Sequence, residues 1–221
     1  MARNKYPEQT VRRILEVSSR LFYEKGFEKT SIQDIVAALG MSKGAIYHHF
    51  KSKEEILESV AGQFQGEIER YSHLLADSSL TGLQKLYQFF CYALSDHKKH
   101  QRDQLFLLNI RDPQVTAMTV DNALNGAATY LAAFLEQGKK DGSMTVKRPQ
   151  ETAQVMLLLI NVWLNPAMQQ GGRERYLEKL QLMKELTAAL GVPLMDERLI
   201  GLFCDYYDQL EQAGAGKEEA R

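Results

Sequence analysis

The sequence of 221 residues predicts an all-α protein of about nine to ten helices. Apolar side chains recur every three or four residues along almost the whole chain, which is the spacing of amphipathic helices. Only the segment 143–146 favours a β-strand, and it is too short to build a sheet. Turn signals divide the helical pattern into an N-terminal three-helix head, residues 1–53, and a longer helical body, residues 54–212.

The first helix is predicted from Pro7 to Lys25, because proline is favoured in the first turn of a helix and Gly26 follows the last one. Phe27 is predicted to pack the following connection back onto this helix. The residues of the buried stripe are Val11, Ile14, Leu15, Ser18, Leu21 and Phe22.

The next segment, SIQDIVAALGMSKGAIYHHFKSK at 31–53, predicts a helix–turn–helix. Ser31 or Thr30 caps a short helix, and Gly40 can end it because glycine adopts the left-handed conformation easily. Ser42 then caps a second short helix. This geometry places the second helix in the major groove of DNA, so the head is predicted to bind double-stranded DNA.

The second short helix is predicted to bury Ala45, Ile46 and Phe50 and to expose its other side chains. The exposed residues are Lys43, Gly44, Tyr47, His48 and His49. Base reading is predicted for Lys43, Gly44, Ala45 and His48. Lysine donates to guanine acceptors, glycine allows close backbone approach, and the alanine methyl can meet a thymine methyl.

Charge is distributed unevenly along the chain, although the formal net charge is only −1. The head carries ten basic and five acidic side chains, which gives +5, so the remaining chain carries −6. A basic head on an acidic body directs a polyanion to one end of the molecule.

The body is predicted to contain further helices that turn signals separate. The predicted helices are 52–75, 83–94, 104–110, 112–140, 149–168, 173–190 and 196–210. A polar loop is predicted at 96–103, and the small polar residues of 213–221 predict a disordered tail.

The composition excludes several protein classes. Cys91 and Cys204 lie far apart, which indicates a reducing compartment without disulfides. No secretory signal is present, and the longest apolar run, 155–164, is about half of a membrane span. We therefore expect a cytoplasmic protein that does not enter a membrane.

No metal or cofactor is predicted, because the adjacent His48 and His49 point apart and His97 and His100 fall in the polar loop. An enzyme is not favoured either, since the sequence has no Gly-rich phosphate loop, nucleophile elbow or metal-spaced Cys/His set.

The stretch from Ile14 to Leu57 resembles the DNA-binding domain of the TetR (tetracycline repressor) family of bacterial regulators. The matching pieces are 18–36 and 41–57, with Val36 where the family more often has alanine, and with His48-His49 after the tyrosine.

The resemblance implies that the helix of 42–50 enters the major groove and that Thr30, Tyr47 and Lys53 bind phosphates. Capping hydroxyls support such roles, because a helix N-terminus presents backbone N–H groups to an anion. Arg3 and Lys5 form a basic arm that can reach the DNA backbone or the minor groove. The predicted DNA-contacting residues are Thr30, Ser31, Ser42, Lys43, Gly44, Ala45, Tyr47, His48 and Lys53.

Two uses compete for the apolar surface of the body. The resemblance implies a homodimer through the helices within 149–190, and two apolar faces there fit such an interface. Those faces are Leu157, Ile160, Trp163 and Leu164, and then Tyr176, Leu180, Met183 and Leu186. The other use is a cavity for a small, mostly apolar effector. Its candidate residues are Tyr87, Phe90, Cys91, Phe106, Met118, Asn125, Tyr130, Phe134, Met156, Asn161 and Trp163, although such a stripe also fits ordinary core.

The sequence therefore predicts a dimeric, sequence-specific transcriptional regulator. The favoured form is a repressor that an effector releases from an inverted-repeat operator by moving the two heads out of register. The alternatives are a DNA-binding protein without an effector, controlled by a protein partner or acting architecturally, and an activator.

Overall fold

The computed structural model describes residues 7–60, 71–96 and 110–219. These ranges contain helices and no strand, which confirms the all-α prediction. The chain divides into two compact units, Met1–Gly66 and Glu67–Arg221. The domain boundary predicted at residue 53 lies inside the first unit and stays a prediction.

The first unit has four helices in its described part. They are α1 (Pro7–Lys25), α2 (Ile32–Leu39), α3 (Lys43–Tyr47) and α4 (53–60). The bounds of α1 are as predicted, and Gly26 follows it at φ +87°. Packing of α2 against α1 and α3 builds a core from apolar side chains of all four helices and of the α1–α2 connection. Its core residues are Ile14, Leu15, Leu21, Phe22, Phe27, Ile35, Leu39, Ile46, Phe50, Ile56, Leu57 and Val60.

The second unit is a helical bundle. Its helices are α5 (Ser72–Ala76), α6 (Gly82–Ser95), α7 (Pro113–Asp121), α8 (Ala127–Asp141), α9 (Pro149–Leu158), α10 (Gly172–Ala189) and α11 (Glu197–Glu219). Helix α8 packs against α6 and α9, while α11 packs against α6 and α10. A single apolar cluster fills the space among these helices and includes the aromatic rings of Phe90, Phe134 and Phe203.

Two π-helical turns extend helices of this bundle. One, Asn122–Gly126, joins α7 to α8, and the other, Leu159–Trp163, follows α9. Gln154 donates from α9 to the carbonyl oxygen of Leu124 in the first π-turn at 2.8 Å. Lys179 on α10 likewise donates to the carbonyl oxygen of Trp163 in the second π-turn, so a side chain of a neighbouring helix contacts each turn.

The structure corrects the helix predicted over 149–168. Its regular part ends at Trp163, and a short 3₁₀ turn, Pro166–Met168, follows. The cause is Pro166, which lacks an N–H and holds Asn165 in an extended conformation.

The last helix is also longer than predicted. It begins at Glu197 and continues to Glu219, whereas the sequence predicts an end at 210 and a disordered tail over 213–221. Alanine, lysine and glutamate have high helix propensity, and the two glycines at 214 and 216 cost only about 1 kcal/mol each.

Several predicted features lie outside the described residues, namely most of the helix over 52–75, the loop at 96–103, and the helix at 104–110 with Phe106. Across the described ranges no helix combines the length and the apolar character that a membrane span requires. In the same ranges no cluster of His, Cys, Asp and Glu has a metal-binding arrangement, and Cys91 and Cys204 are both free thiols.

Candidate nucleic-acid interface

Helix α3 lies on the first unit with one side buried and one side open. Ser42 caps it, because its Oγ accepts a hydrogen bond from the Ala45 backbone N–H at 3.2 Å. Ile46 is fully buried and Phe50 is 5% exposed, so these two residues anchor the helix in the core. The predicted base-reading residues Lys43, Gly44 and His48 are exposed, together with Tyr47, while Ala45 and His49 are half-buried.

Helix α2 begins at a reciprocal cap between Ser31 and Asp34. The Asp34 N–H donates to Ser31 Oγ at 3.1 Å, and the Ser31 N–H donates to Asp34 Oδ2 at 2.8 Å. Ser31 is thus the cap, and Thr30 is not. At the other end Gly40 adopts φ +63°, as predicted, and its N–H donates to the Ala37 carbonyl.

The Asp34 carboxylate changes the electrostatics of this helix end. Lys25 Nζ at the end of α1 lies 2.7 Å from Asp34 Oδ1. The lysine, followed by the Ser31 hydroxyl and backbone N–H, holds the pKa of Asp34 well below its usual range. The carboxylate therefore stays ionised and pairs with Lys25, and it accepts the backbone N–H of Ser31 at this helix end.

Thr30 is a correction to the predicted set of phosphate ligands. Its side chain is 1% exposed, and its hydroxyl donates to the carbonyl oxygens of Gly26 at 2.8 Å and Leu21 at 3.2 Å. A hydroxyl buried with two internal acceptors cannot contact DNA. Thr30 instead fixes the connection between α1 and α2.

Lys53 and Tyr47 are the other two predicted phosphate ligands. Tyr47 is 44% exposed, and Lys43 Nζ lies 5.7 Å from the centroid of its ring. Lys53 is half-buried, and its Nζ donates to the Phe27 carbonyl oxygen at 2.8 Å while lying 4.1 Å from the centroid of the Phe27 ring. In the free protein the Lys53 ammonium therefore already contacts the carbonyl oxygen and the ring of Phe27.

The predicted effector residues separate into three groups. Phe90, Phe134 and Met156 are buried in the cluster of the second unit, and Tyr87, Cys91 and Trp163 pack against it. Met118, Tyr130 and Asn161 are half-buried outside that cluster, and Asn125 is exposed with its amide donating to Asp121 at 2.6 Å. The structure brings the first six residues together and leaves the other four apart.

Tyr87 is a polar residue at the edge of the cluster. Its hydroxyl donates to the two Asp196 carboxylate oxygens at 2.8 and 3.0 Å. Burial and this carboxylate raise the pKa of Tyr87 to about 12. Lys179 covers Trp163 with its Nζ 5.0 Å from the ring centroid and 2.8 Å from the backbone carbonyl oxygen. Burial lowers the pKa of Lys179.

The predicted dimer faces require a correction. Leu164, Tyr176, Leu180 and Met183 are at most 2% exposed, so they belong to the core of their own chain. Other large apolar side chains of the same region are between 37% and 45% exposed. These are Val155, Met168, Leu182, Leu186 and Leu190. Of the predicted residues only Leu186 is among them, while Leu157, Ile160 and Trp163 are half-buried.

Comparisons with known proteins agree with this architecture. A family model described as bacterial regulatory proteins, tetR family, matches residues 14–60. The uncharacterized HTH-type transcriptional regulator YerO of Bacillus subtilis is 52% identical over 54 residues, which are 24% of this chain and 19% of that protein. The HTH-type transcriptional repressor KstR2 of Mycolicibacterium smegmatis is 35% identical over 78 residues, 35% of this chain and 38% of that protein.

The similarity to those two relatives is confined to part of their sequences, since the chain spans between 19% and 38% of their length. A solved structure extends the likeness over the fold. Salmonella enterica GusR superposes with a TM-score of 0.61 at 22% identity, over 86% of this chain and 99% of that one. At this identity the likeness shows a shared fold.

Proposed function

We propose that this chain is a transcriptional regulator of the TetR family, and in particular a dimeric repressor of an inverted-repeat operator, because residues 14–60 match the family model of bacterial regulatory proteins, tetR family. A small, mostly apolar effector releases it from the DNA. The match of residues 14–60 supports DNA binding, and the dimer, the operator symmetry and the effector are the finer part of the proposal.

The observation that carries the proposal is the open side of α3. Lys43, Gly44, Tyr47 and His48 lie exposed on a helix that Ile46 anchors from behind. The amine of lysine and the imidazole of histidine can hydrogen-bond to base edges, and Gly44 has nothing within 4 Å of the place where a Cβ would stand. The proposed interface comprises Ser31, Ser42, Lys43, Gly44, Ala45, Tyr47, His48 and Lys53.

A homodimer through 149–190 is supported by the exposed apolar side chains of that region. Leu182 and Leu186 are one helical turn apart on α10, and both are more than one-third exposed. Apolar side chains clustered on one helix face favour burial against a partner. Two-fold symmetry also suits DNA recognition, because two short recognition helices can read two half-sites about one helical turn apart or a small multiple of that.

The dimer is tested by sedimentation of the chain with Leu182→Glu and Leu186→Glu together. We expect the wild-type chain to sediment as a dimer and this variant as a monomer. Gln181→Glu is the matched control, because it adds a charge at an exposed position of the same helix. A double variant that sediments like the wild type would place the interface elsewhere.

The effector is supported by the mixed edge of the apolar cluster, where Tyr87, Cys91 and Trp163 remain half-buried. The ring faces suit an apolar, aromatic compound without strong charge, while the Tyr87 hydroxyl is already bonded to Asp196. The opposing observation is that Phe90, Phe134 and Met156 are buried in that same cluster. A core that no compound enters would favour the alternative, a DNA-binding protein controlled by a protein partner or acting architecturally.

The experiment is selection of bound duplexes from a random pool by the purified chain at two salt concentrations. Enrichment of an inverted repeat that Tyr47→Ala abolishes would support the proposal. Recovery of unrelated sequences that are lost at the higher salt would overturn it, because binding would then depend on phosphate charge alone. The enriched duplex then serves to screen apolar compounds for release of the bound protein.

A further inference from the structure

The connection between α1 and α2 is held together by contacts from three sides. Gly26 turns the chain at φ +87°, and the buried hydroxyl of Thr30 closes the turn on the carbonyls of Gly26 and Leu21. On the outside, Lys25 pairs with Asp34 at 2.7 Å. We call residues 26–30 the α1–α2 corner.

The third contact comes from a residue that follows α3 in the sequence. Lys53 opens α4, and its ammonium donates at 2.8 Å to the carbonyl of Phe27, 26 residues earlier. The same carbonyl accepts the backbone N–H of Thr30 at 3.2 Å. Lys53 therefore joins the start of α4 to the corner through a hydrogen bond that a short side chain could not make.

The Phe27 ring strengthens this contact. Lys53 Nζ lies 4.1 Å from its centroid, well within the distance of about 6 Å at which a cation is attracted to an aromatic face. Phe27 is itself 1% exposed and packs edge-on against Phe22 at 5.2 Å, so the ring cannot turn away. The Lys53 ammonium thus donates a hydrogen bond to the Phe27 carbonyl oxygen and makes a cation–π contact with the Phe27 ring.

Helix α3 needs such support from its neighbours. It has five residues, which is far below the length at which a helix is stable by itself. Its N-terminal end is connected to α2, which packs against α1. Its C-terminal end is connected to α4 by a segment that contains the buried Phe50. The hydrogen bond from Lys53 to Phe27 joins the start of α4, and with it the C-terminal end of α3, to the α1–α2 corner.

We propose that Lys53 is a positioning residue for DNA recognition, because it holds α4 against the α1–α2 corner and so fixes the orientation of α3. This inference rests on the proposed function, and it differs from a role as phosphate ligand alone. A lost phosphate ligand weakens binding to every sequence equally, whereas a misplaced recognition helix loses the preferred sequence first.

The first arm of the test uses the free protein. Amide hydrogen exchange is compared among the wild type, Lys53→Met and Lys51→Met, the last being an exposed lysine two residues earlier. We expect at least fivefold faster exchange of the Thr30 amide and of the α3 amides in Lys53→Met, with α1 unchanged in its middle. Wild-type exchange at Thr30 and in α3 would overturn the proposal. If Lys53→Met does not fold by circular dichroism, Lys53→Gln takes its place in both arms.

The second arm measures affinity for the enriched duplex and for a random-sequence duplex of equal length. We expect Lys51→Met to leave the ratio of the two affinities unchanged. Lys53→Met should weaken the enriched duplex at least tenfold more than the random one. Equal losses on both duplexes would reduce Lys53 to a phosphate ligand and overturn the inference. A wild-type chain that binds the two duplexes equally would instead overturn the proposed function.

Discussion

Gly44→Ala should stabilise the head and weaken DNA binding at the same time. Gly44 is exposed near the start of α3, has an ordinary φ, and has no atom within 4 Å of the position that a Cβ would occupy. Alanine therefore fits the free protein without strain, and it stabilises a helix by about 0.5–1 kcal/mol relative to glycine. For a unit of this size that gain raises the melting temperature by roughly 2–8 °C.

The same methyl group has the opposite effect on the complex if α3 lies in the major groove. It would stand where the backbone of α3 approaches the base edges most closely. Forcing a methyl into a filled contact costs about 1–3 kcal/mol, which is roughly a 5- to 150-fold loss of affinity. Opposite signs in the two measurements are the distinguishing result, because a general loss of structure would lower both stability and affinity.

Gly201→Ala is the matched control. Gly201 is likewise exposed in a helix, α11, and likewise has nothing within 4 Å of its Cβ position. We expect a similar gain in stability and unchanged affinity for the enriched duplex. Thermal melting by circular dichroism and fluorescence anisotropy with a labelled duplex provide the two measurements. Wild-type affinity in Gly44→Ala would refute the placement of α3 against the bases. A lower melting temperature would show that the position of a Cβ at residue 44 is not open in the free protein.

Three further predictions concern other parts of the chain. A Cβ at Gly82 would lie 2.1 Å from the backbone nitrogen of Gly138, so Gly82→Ala should force α6 and α8 apart and lower the free energy of unfolding by about 1–3 kcal/mol. Gly138→Ala should lower the free energy of unfolding by less, because its Cβ would meet the flexible end of the Met144 side chain. Urea titration of the two variants compares their free energies of unfolding. Asp34→Asn should free Lys25 to contact a phosphate, so we expect tighter binding to a random-sequence duplex at low salt and a steeper dependence of that affinity on salt. Unchanged affinity would show that this end of α2 lies away from the DNA. The raised pKa of Tyr87 means that the folded state favours the neutral phenol, so its contribution to stability is complete below pH 10 and is lost as the pH rises toward 12. Chemical denaturation across that range should show a smaller loss in Tyr87→Phe than in the wild type.

The sequence predicts those features of the head that depend on neighbours in the chain. Gly26 and Gly40 end their helices in the left-handed conformation, and Ser42 caps α3, because each acts on backbone groups within four residues. The sequence alone does not distinguish Thr30 from Ser31 as the cap of α2, since both carry a hydroxyl group and both precede the apolar pattern of that helix. Their roles separate only in the fold, where Thr30 faces the carbonyls of α1 and Ser31 faces Asp34.

Contacts between distant residues cannot be read in the same way. The partner of Lys53 is 26 residues away, and a lysine at a helix start fits a phosphate ligand as well as an internal hydrogen bond. Pro166 is a different case, because the signal is present in the sequence and ends the helix as its chemistry requires.

Helix α10 shows why three residues predicted for the dimer face lie in the core of their own chain. Apolar side chains recur on two of its faces, with Tyr176, Leu180 and Met183 on one and Leu182 and Leu186 on the other. Periodicity detects both faces and cannot say which one the chain covers with its own helices. In the structure the tyrosine face packs into the core of the second unit, and the leucine face stays exposed. Leu182 and Leu186 are each more than one-third exposed in the single chain, and the proposed dimer would bury this remaining apolar surface.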